Sequence, residues 1–65
     1  MITIHKSANY TAHLHDKAGL IVESTRKPGG VRLPPEHPQH DEYLYAIWDC
    51  HDVYEADALC RALLN

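Results

Sequence analysis

No apolar run in this 65-residue chain approaches the ~20 residues that a membrane-spanning helix requires, so we expect no membrane contact. The start, Met1-Ile2-Thr3-Ile4-His5, lacks the charged opening, apolar stretch and small-residue cleavage site of a secretory signal. We therefore read the chain as a complete cytoplasmic protein beginning at its own initiator. Cysteine is scarce, with only Cys50 and Cys60. The helix expected between 52 and 60 spans about 12 Å at 1.5 Å per residue, well beyond the roughly 7 Å between Cα atoms that a disulfide tolerates. Reduced thiols in a reducing compartment follow.

The motifs of common enzymes are also missing. Ser7, Ser24, Cys50 and Cys60 are present, but none sits in Gly-x-Ser-x-Gly or another nucleophile-presenting pattern. Cys50 and His51 are neighbours along the chain, which is not the geometry by which a base activates a thiol. Gly29 and Gly30 lack the spacing of a phosphate loop. These gaps point away from an enzyme and from a bound cofactor. Histidine, by contrast, is abundant: His5, His13, His15, His37, His40 and His51 make the net charge sensitive to pH near neutrality. His37-x-x-His40 has a spacing found among metal ligands, and Cys50 or Asp41 would complete a tetrahedral set. Without Cys-x-x-Cys or His-Glu-x-x-His, solvent-facing histidines are the simpler reading. A histidine-based metal-binding domain stays as an alternative.

What is present describes one small domain over 1–65. The apolar fraction of 45% is ordinary for a globular chain, although so short a chain buries only about 60% of its unfolded surface. Tyr10, Ala12 and Leu14 alternate with Thr11, His13 and His15, the period of a half-buried strand. Asp16-Lys17-Ala18-Gly19 has turn chemistry, and Leu20-Ile21-Val22 begins a return strand. A helix over 7–18 with Gly19 as its C-cap competes with this hairpin. The aromatic and β-branched run Tyr43-Leu44-Tyr45-Ala46-Ile47-Trp48 is short and predicts a further strand. Asp52-Val53-Tyr54-Glu55 has the form of a capping box. After it Val53, Ala56, Leu59, Cys60 and Leu63 recur at helical spacing. The expected fold is α+β: a small antiparallel sheet of three to four strands packed against one C-terminal helix. Its strands lie over 2–5, 10–15, 20–25 and 43–48, its helix over 53–64, and a long loop over 26–42. Within that loop Lys27-Pro28-Gly29-Gly30 reads as a turn, while Val31 and Leu33 suit a short edge strand.

Charge is divided unevenly along the chain. Residues 1–32 carry Lys6, Lys17, Arg26, Lys27 and Arg32 against Asp16 and Glu23, a net of +3. Residues 33–65 carry Glu36, Asp41, Glu42, Asp49, Asp52, Glu55 and Asp57 against Arg61, a net of −6. Such asymmetry points to a charged partner, and an acidic face attracts a basic, nucleic-acid-binding surface. Tyr43, Tyr45 and Tyr54 lie among these acids, and tyrosine is enriched at interfaces. The expected partner-binding set is therefore Glu36, Asp41, Glu42, Tyr43, Tyr45, Asp49, Asp52, Tyr54, Glu55 and Asp57. Direct nucleic-acid binding is disfavoured by the sparse basic residues and the negative total, although the Arg26-Lys27 turn has the charge to touch phosphate. A small nucleic-acid-binding regulator is thus the other alternative. We expect a monomer, with a dimer as the second option.

The acidic series from Glu36 to Asp57, the helix start Asp-Val-Tyr-Glu-Ala-Asp-Ala-Leu-Cys over 52–60 and the small α+β build resemble the anti-CRISPR proteins. These are inhibitors encoded by bacteriophages and mobile elements, and the likeness is to those directed at type I surveillance complexes. The resemblance implies stoichiometric binding to a Cas subunit that blocks the groove where target DNA would sit. It carries over no individual functional residue.

Overall fold

A computed structural model describes the backbone of residues 1–65 and the side chains of 1–26 and 29–65. Lys27 and Pro28, including the lysine of the Arg26-Lys27 pair, therefore lie outside the described side chains. The element order is β1 (Ile2–Lys6), β2 (Tyr10–His15), β3 (Gly19–Ser24), β4 (Lys27–Leu33), α1 (His40–Trp48) and α2 (Val53–Leu64). The four strands form one antiparallel meander in the order β1-β2-β3-β4, and α2 packs across β2, β3 and β4 while α1 packs on β1, β3 and α2.

The hairpin expected from the alternating pattern forms with Tyr10 opposite Ser24 and His15 opposite Gly19, and residues 7–18 are not a helix. Because strand side chains alternate between faces, Ala12, Leu20, Val22 and Leu33 all enter the core, where Ile47 and Cys60 meet them from the helices. Gly19 starts β3 with φ +90, a left-handed conformation that L side chains rarely adopt. A Cβ there would also run into the Leu33 carbonyl and Pro35. Strand β1 carries a bulge between Thr3 and His5. An extra residue in a bulged strand disturbs the in–out alternation, so the adjacent Ile4 and His5 are both half-buried.

Two expectations over 26–48 are corrected. The loop over 26–42 is strand β4, a set of turns over 34–39 and the start of α1. The chain reverses at Thr25 and Arg26 rather than at the glycines, and Arg26 N–H donates to Ser24 Oγ at 3.2 Å. Gly30 lies in the strand, at a position where only glycine fits because a Cβ would strike the Val22 carbonyl. Val31 and Leu33 do lie on an edge strand, as their pattern suggests. The segment 43–48 is helix, not strand. Read from His40, the buried and half-buried positions are His40, Tyr43, Leu44 and Ile47, which is a helical period rather than a period of two. Asp41 and Glu42 occupy the first turn, where negative charge is favourable. The β propensity of the aromatics loses to that periodicity once the three preceding residues join the element.

Helix α2 has the expected bounds. Asp52 caps it by accepting from Tyr54 N–H at 2.8 Å. The reciprocal half of the capping box gives way to a different contact, in which the Glu55 carboxylate accepts from Cys50 Sγ at 3.7 Å. Ala56 and Cys60 are buried, whereas Val53, at the head of the expected apolar face, is 55% exposed. Both thiols are free. No helix among the described residues is long and apolar enough to cross a membrane.

Candidate functional site

The acidic residues singled out in the sequence fall into two groups. Glu36, Asp41, Glu42, Asp49, Asp52 and Glu55 are exposed, on the turns before α1, on α1 itself, on the connection into α2 and, for Glu55, in the first turn of α2. Asp57 does not join them. It turns inward from α2, where its Oδ1 accepts from His5 Nε2 at 2.7 Å and from Ser7 Oγ at 2.7 Å. The His5 and Asp57 side chains are only 9% and 16% exposed. Burial pushes the Asp57 carboxyl up, but hydrogen bonds from His5 and Ser7, the His5 charge and Asn9 outweigh it and hold the carboxyl below its ordinary value. This cluster ties α2 to β1 and to the turn after it.

Ser7, His5 and Asp57 have the composition of a catalytic triad and the wrong wiring for one. In a triad the imidazole stands between carboxylate and hydroxyl and takes the serine proton. Here the carboxylate stands in the middle, and a carboxylate only accepts. The Ser7 hydroxyl therefore donates to Asp57, while its oxygen accepts from Tyr10 N–H at 3.1 Å.

The tyrosines separate as well. On a strand Tyr43 and Tyr45 would share a face; on α1, two residues apart, they cannot. Tyr43 is half-buried against the core, while Tyr45 is 60% exposed. Trp48, one helical turn beyond Tyr45, is 50% exposed and was absent from the expected set. A helical reading from His40 is the signal that would have found it, because it places Tyr45 and Trp48 on one outward stripe. Asp41 lies one turn before Tyr45 on that stripe, and Glu42 and Asp49 flank it. Tyr54, across the connection, is 86% exposed and Val53 is exposed beside it. The arrangement is an aromatic stripe bordered by carboxylates.

The histidines are dispersed. His37 Nδ1 accepts from Gln39 N–H at 3.0 Å, and His40 Nδ1 donates to Asp41 Oδ1 at 2.9 Å. Each spacing candidate thus has one ring nitrogen already engaged. His13 and His15 pack edge to face with ring centroids 6.2 Å apart. No group of three or more His, Cys, Asp or Glu among the described residues converges as a metal-binding set. Cys60 is fully buried, and burial, with Asp57 nearby, pushes its thiol from 9.0 up to about 11. At neutral pH it is a protonated core group, not a nucleophile. No protein-family model, curated protein or solved structure matches this chain.

Proposed function

We propose that the protein is a non-enzymatic binding module that engages a basic protein surface through the outward face of α1 and the connection into α2. The observation that carries this reading is the exposed pair Tyr45 and Trp48 set among Asp41, Glu42 and Asp49. Neither aromatic belongs to the core cluster. Exposed Trp and Tyr are favoured as interface anchors because they bring large, stiff contact area at low entropic cost. The surrounding carboxylates supply long-range attraction and orientation toward a basic partner. Asp52 and Glu55 extend the acidic border across the turn into α2, whereas Tyr54 faces the cavity lined by Arg26 and Arg61 instead. Asp57 and Tyr43 do not take part, since each is engaged within the fold.

The resemblance to anti-CRISPR proteins makes a subunit of a type I surveillance complex the first partner to test. There the module would cover the basic groove that receives target DNA and so act as a stoichiometric inhibitor. The experiment is binding to purified type I complexes, with target-DNA capture as the functional readout. Wild-type protein should bind more weakly as salt rises. The double reversal Asp41→Lys, Glu42→Lys and the separate change Trp48→Ala should each abolish inhibition while the far-ultraviolet circular dichroism stays unchanged. Binding that persists through both changes would remove this surface from consideration. A folded protein that leaves DNA capture untouched in every type I complex would remove the inhibitor assignment.

A further inference from the structure

A second surface has the opposite character. Where the turns after β1 and β3 approach α2, two adjoining cavities of about 320 and 350 Å³ share Tyr10, Ser24 and Arg61 as walls. The second also takes in Arg26 and Tyr54, and the first runs along Gly29 and Gly30 toward Leu64. We infer that this trough is a binding site for a nucleoside phosphate, with Arg26 and Arg61 holding the phosphate and Tyr54 stacking on the base.

Four features support the assignment. First, two of the chain's six Lys and Arg residues line one cavity. Among the described residues neither has a carboxylate within ion-pairing distance, because the ion pairs formed are His5–Asp57 and His40–Asp41. An unpaired guanidinium is a planar, five-donor group whose geometry matches a phosphate. Second, the one acid in the wall, Asp57, already accepts from His5 and Ser7 through Oδ1, so it is committed to the sheet rather than to either arginine. Third, Tyr54 is 86% exposed and has no role in the core, yet it stands on the rim of the cavity that holds both arginines. A free aromatic ring beside cationic groups is the combination that takes a base and its phosphate together. Fourth, at Gly29 an added Cβ would meet nothing within 4 Å, so that stretch of the first cavity's wall is open and a ligand can approach the backbone there. Each cavity is at the lower end of the volume range of small-molecule sites, which suits a single nucleotide rather than a larger cofactor.

The same chemistry is offered by a free mononucleotide and by the phosphorylated end of a single strand. The test is a nuclear magnetic resonance titration of the full chain with adenosine monophosphate, adenosine, inorganic phosphate, and an oligoadenylate bearing a terminal phosphate. Adenosine monophosphate should shift Tyr10, Ser24 and Arg61 and bind more tightly than adenosine or phosphate alone. Arg61→Gln and Arg26→Gln, both at exposed positions, should keep the fold and each weaken binding by about tenfold or more, the worth of a charge-assisted hydrogen bond. Tyr54→Ala should weaken the nucleotide but not inorganic phosphate. Tighter binding of the oligoadenylate would assign a strand end as the natural source, and equal or weaker binding a free nucleotide. The inference is overturned by no response to adenosine monophosphate at millimolar concentration. Binding indifferent to both arginine changes, or a glutamate-rich peptide outcompeting the nucleotide, would overturn it equally.

Discussion

Helices α1 and α2 both carry acids in or next to their first turn, and both bury a stripe of side chains against the same sheet. In α2 all three of those acids are engaged by the fold: Asp52 caps the helix, Glu55 accepts from Cys50 Sγ and Asp57 is held by His5 and Ser7. In α1 the N-cap residue Gln39 makes no side-chain capping bond, and Glu42 and Asp49 make no side-chain hydrogen bond among the described residues. Asp41 makes one, with the neighbouring His40. The outward aromatics Tyr45 and Trp48 are likewise without a role in the core. Residues that a fold does not use, yet that are large, aromatic or charged in a cluster, are the ones most open to use by a partner. Similar composition therefore supports two different readings: α2 as a strut, α1 as a surface.

The sharpest way to break the contrast is to remove α1's deepest anchor. Ile47 is 1% exposed, and Ile47→Ala should lower unfolding free energy by about 3 kcal/mol. Urea denaturation measures this, and a loss under ~1 kcal/mol would mean that α1 is not anchored by that side chain. Next in size is the tie that makes α2 a strut. Asp57→Asn removes the charge that His5 and Ser7 address and should cost about 1–3 kcal/mol at neutral pH.

The same tie gives a pH signature with a definite sign. The Asp57 carboxyl lies below its ordinary 3.8 in the folded protein, so its stabilising contribution is complete above that value. It fades as pH falls through the lower folded value. Acid unfolding followed by circular dichroism should therefore begin at higher pH in Asp57→Asn, and identical acid midpoints would contradict the tie. At the alkaline end Cys60 acts in the other direction. The folded thiol keeps its proton to about 11, whereas an ordinary thiol releases it near 9.0, so stability should decline as pH rises through that interval. Cys60→Ala should flatten the decline, and a decline of equal slope in the variant would assign it to another group.

A smaller effect separates the two helix starts. Asp52→Ala should cost about 1 kcal/mol, the worth of a side-chain cap, while Gln39→Ala should cost almost nothing. Equal losses in thermal unfolding would erase the distinction. Smallest for stability are Tyr45→Ala and Trp48→Ala, each expected within about 0.5 kcal/mol of wild type because the side chains are exposed. A large loss from either would return α1's outer face to the fold and weaken its claim as a binding surface.

Some of this was legible because it depends on local pattern. The alternation from Tyr10 to His15, the turn ending at Gly19 and the capped run from Asp52 to Leu64 each lie within a dozen or so residues, and local chemistry decided them. The 43–48 segment reads as a strand in isolation because six residues are too few to separate a period of two from one of 3.6 when aromatics dominate. The extension back to His40 resolves it, since His40, Leu44 and Ile47 are all buried.

From the sequence alone follow an α+β domain, a β2–β3 hairpin, a closing helix and an acidic C-terminal half. Only the tertiary structure decided which acids are free. Asp57 looks like any other member of the acidic series, and its partners His5 and Ser7 stand 52 and 50 residues away. Only the packing of α2 on the sheet brings them together. The outward stripe of Tyr45 and Trp48 depended likewise on which face of α1 the core claimed. Burial is a property of the assembled fold, whereas periodicity and capping belong to short stretches of chain.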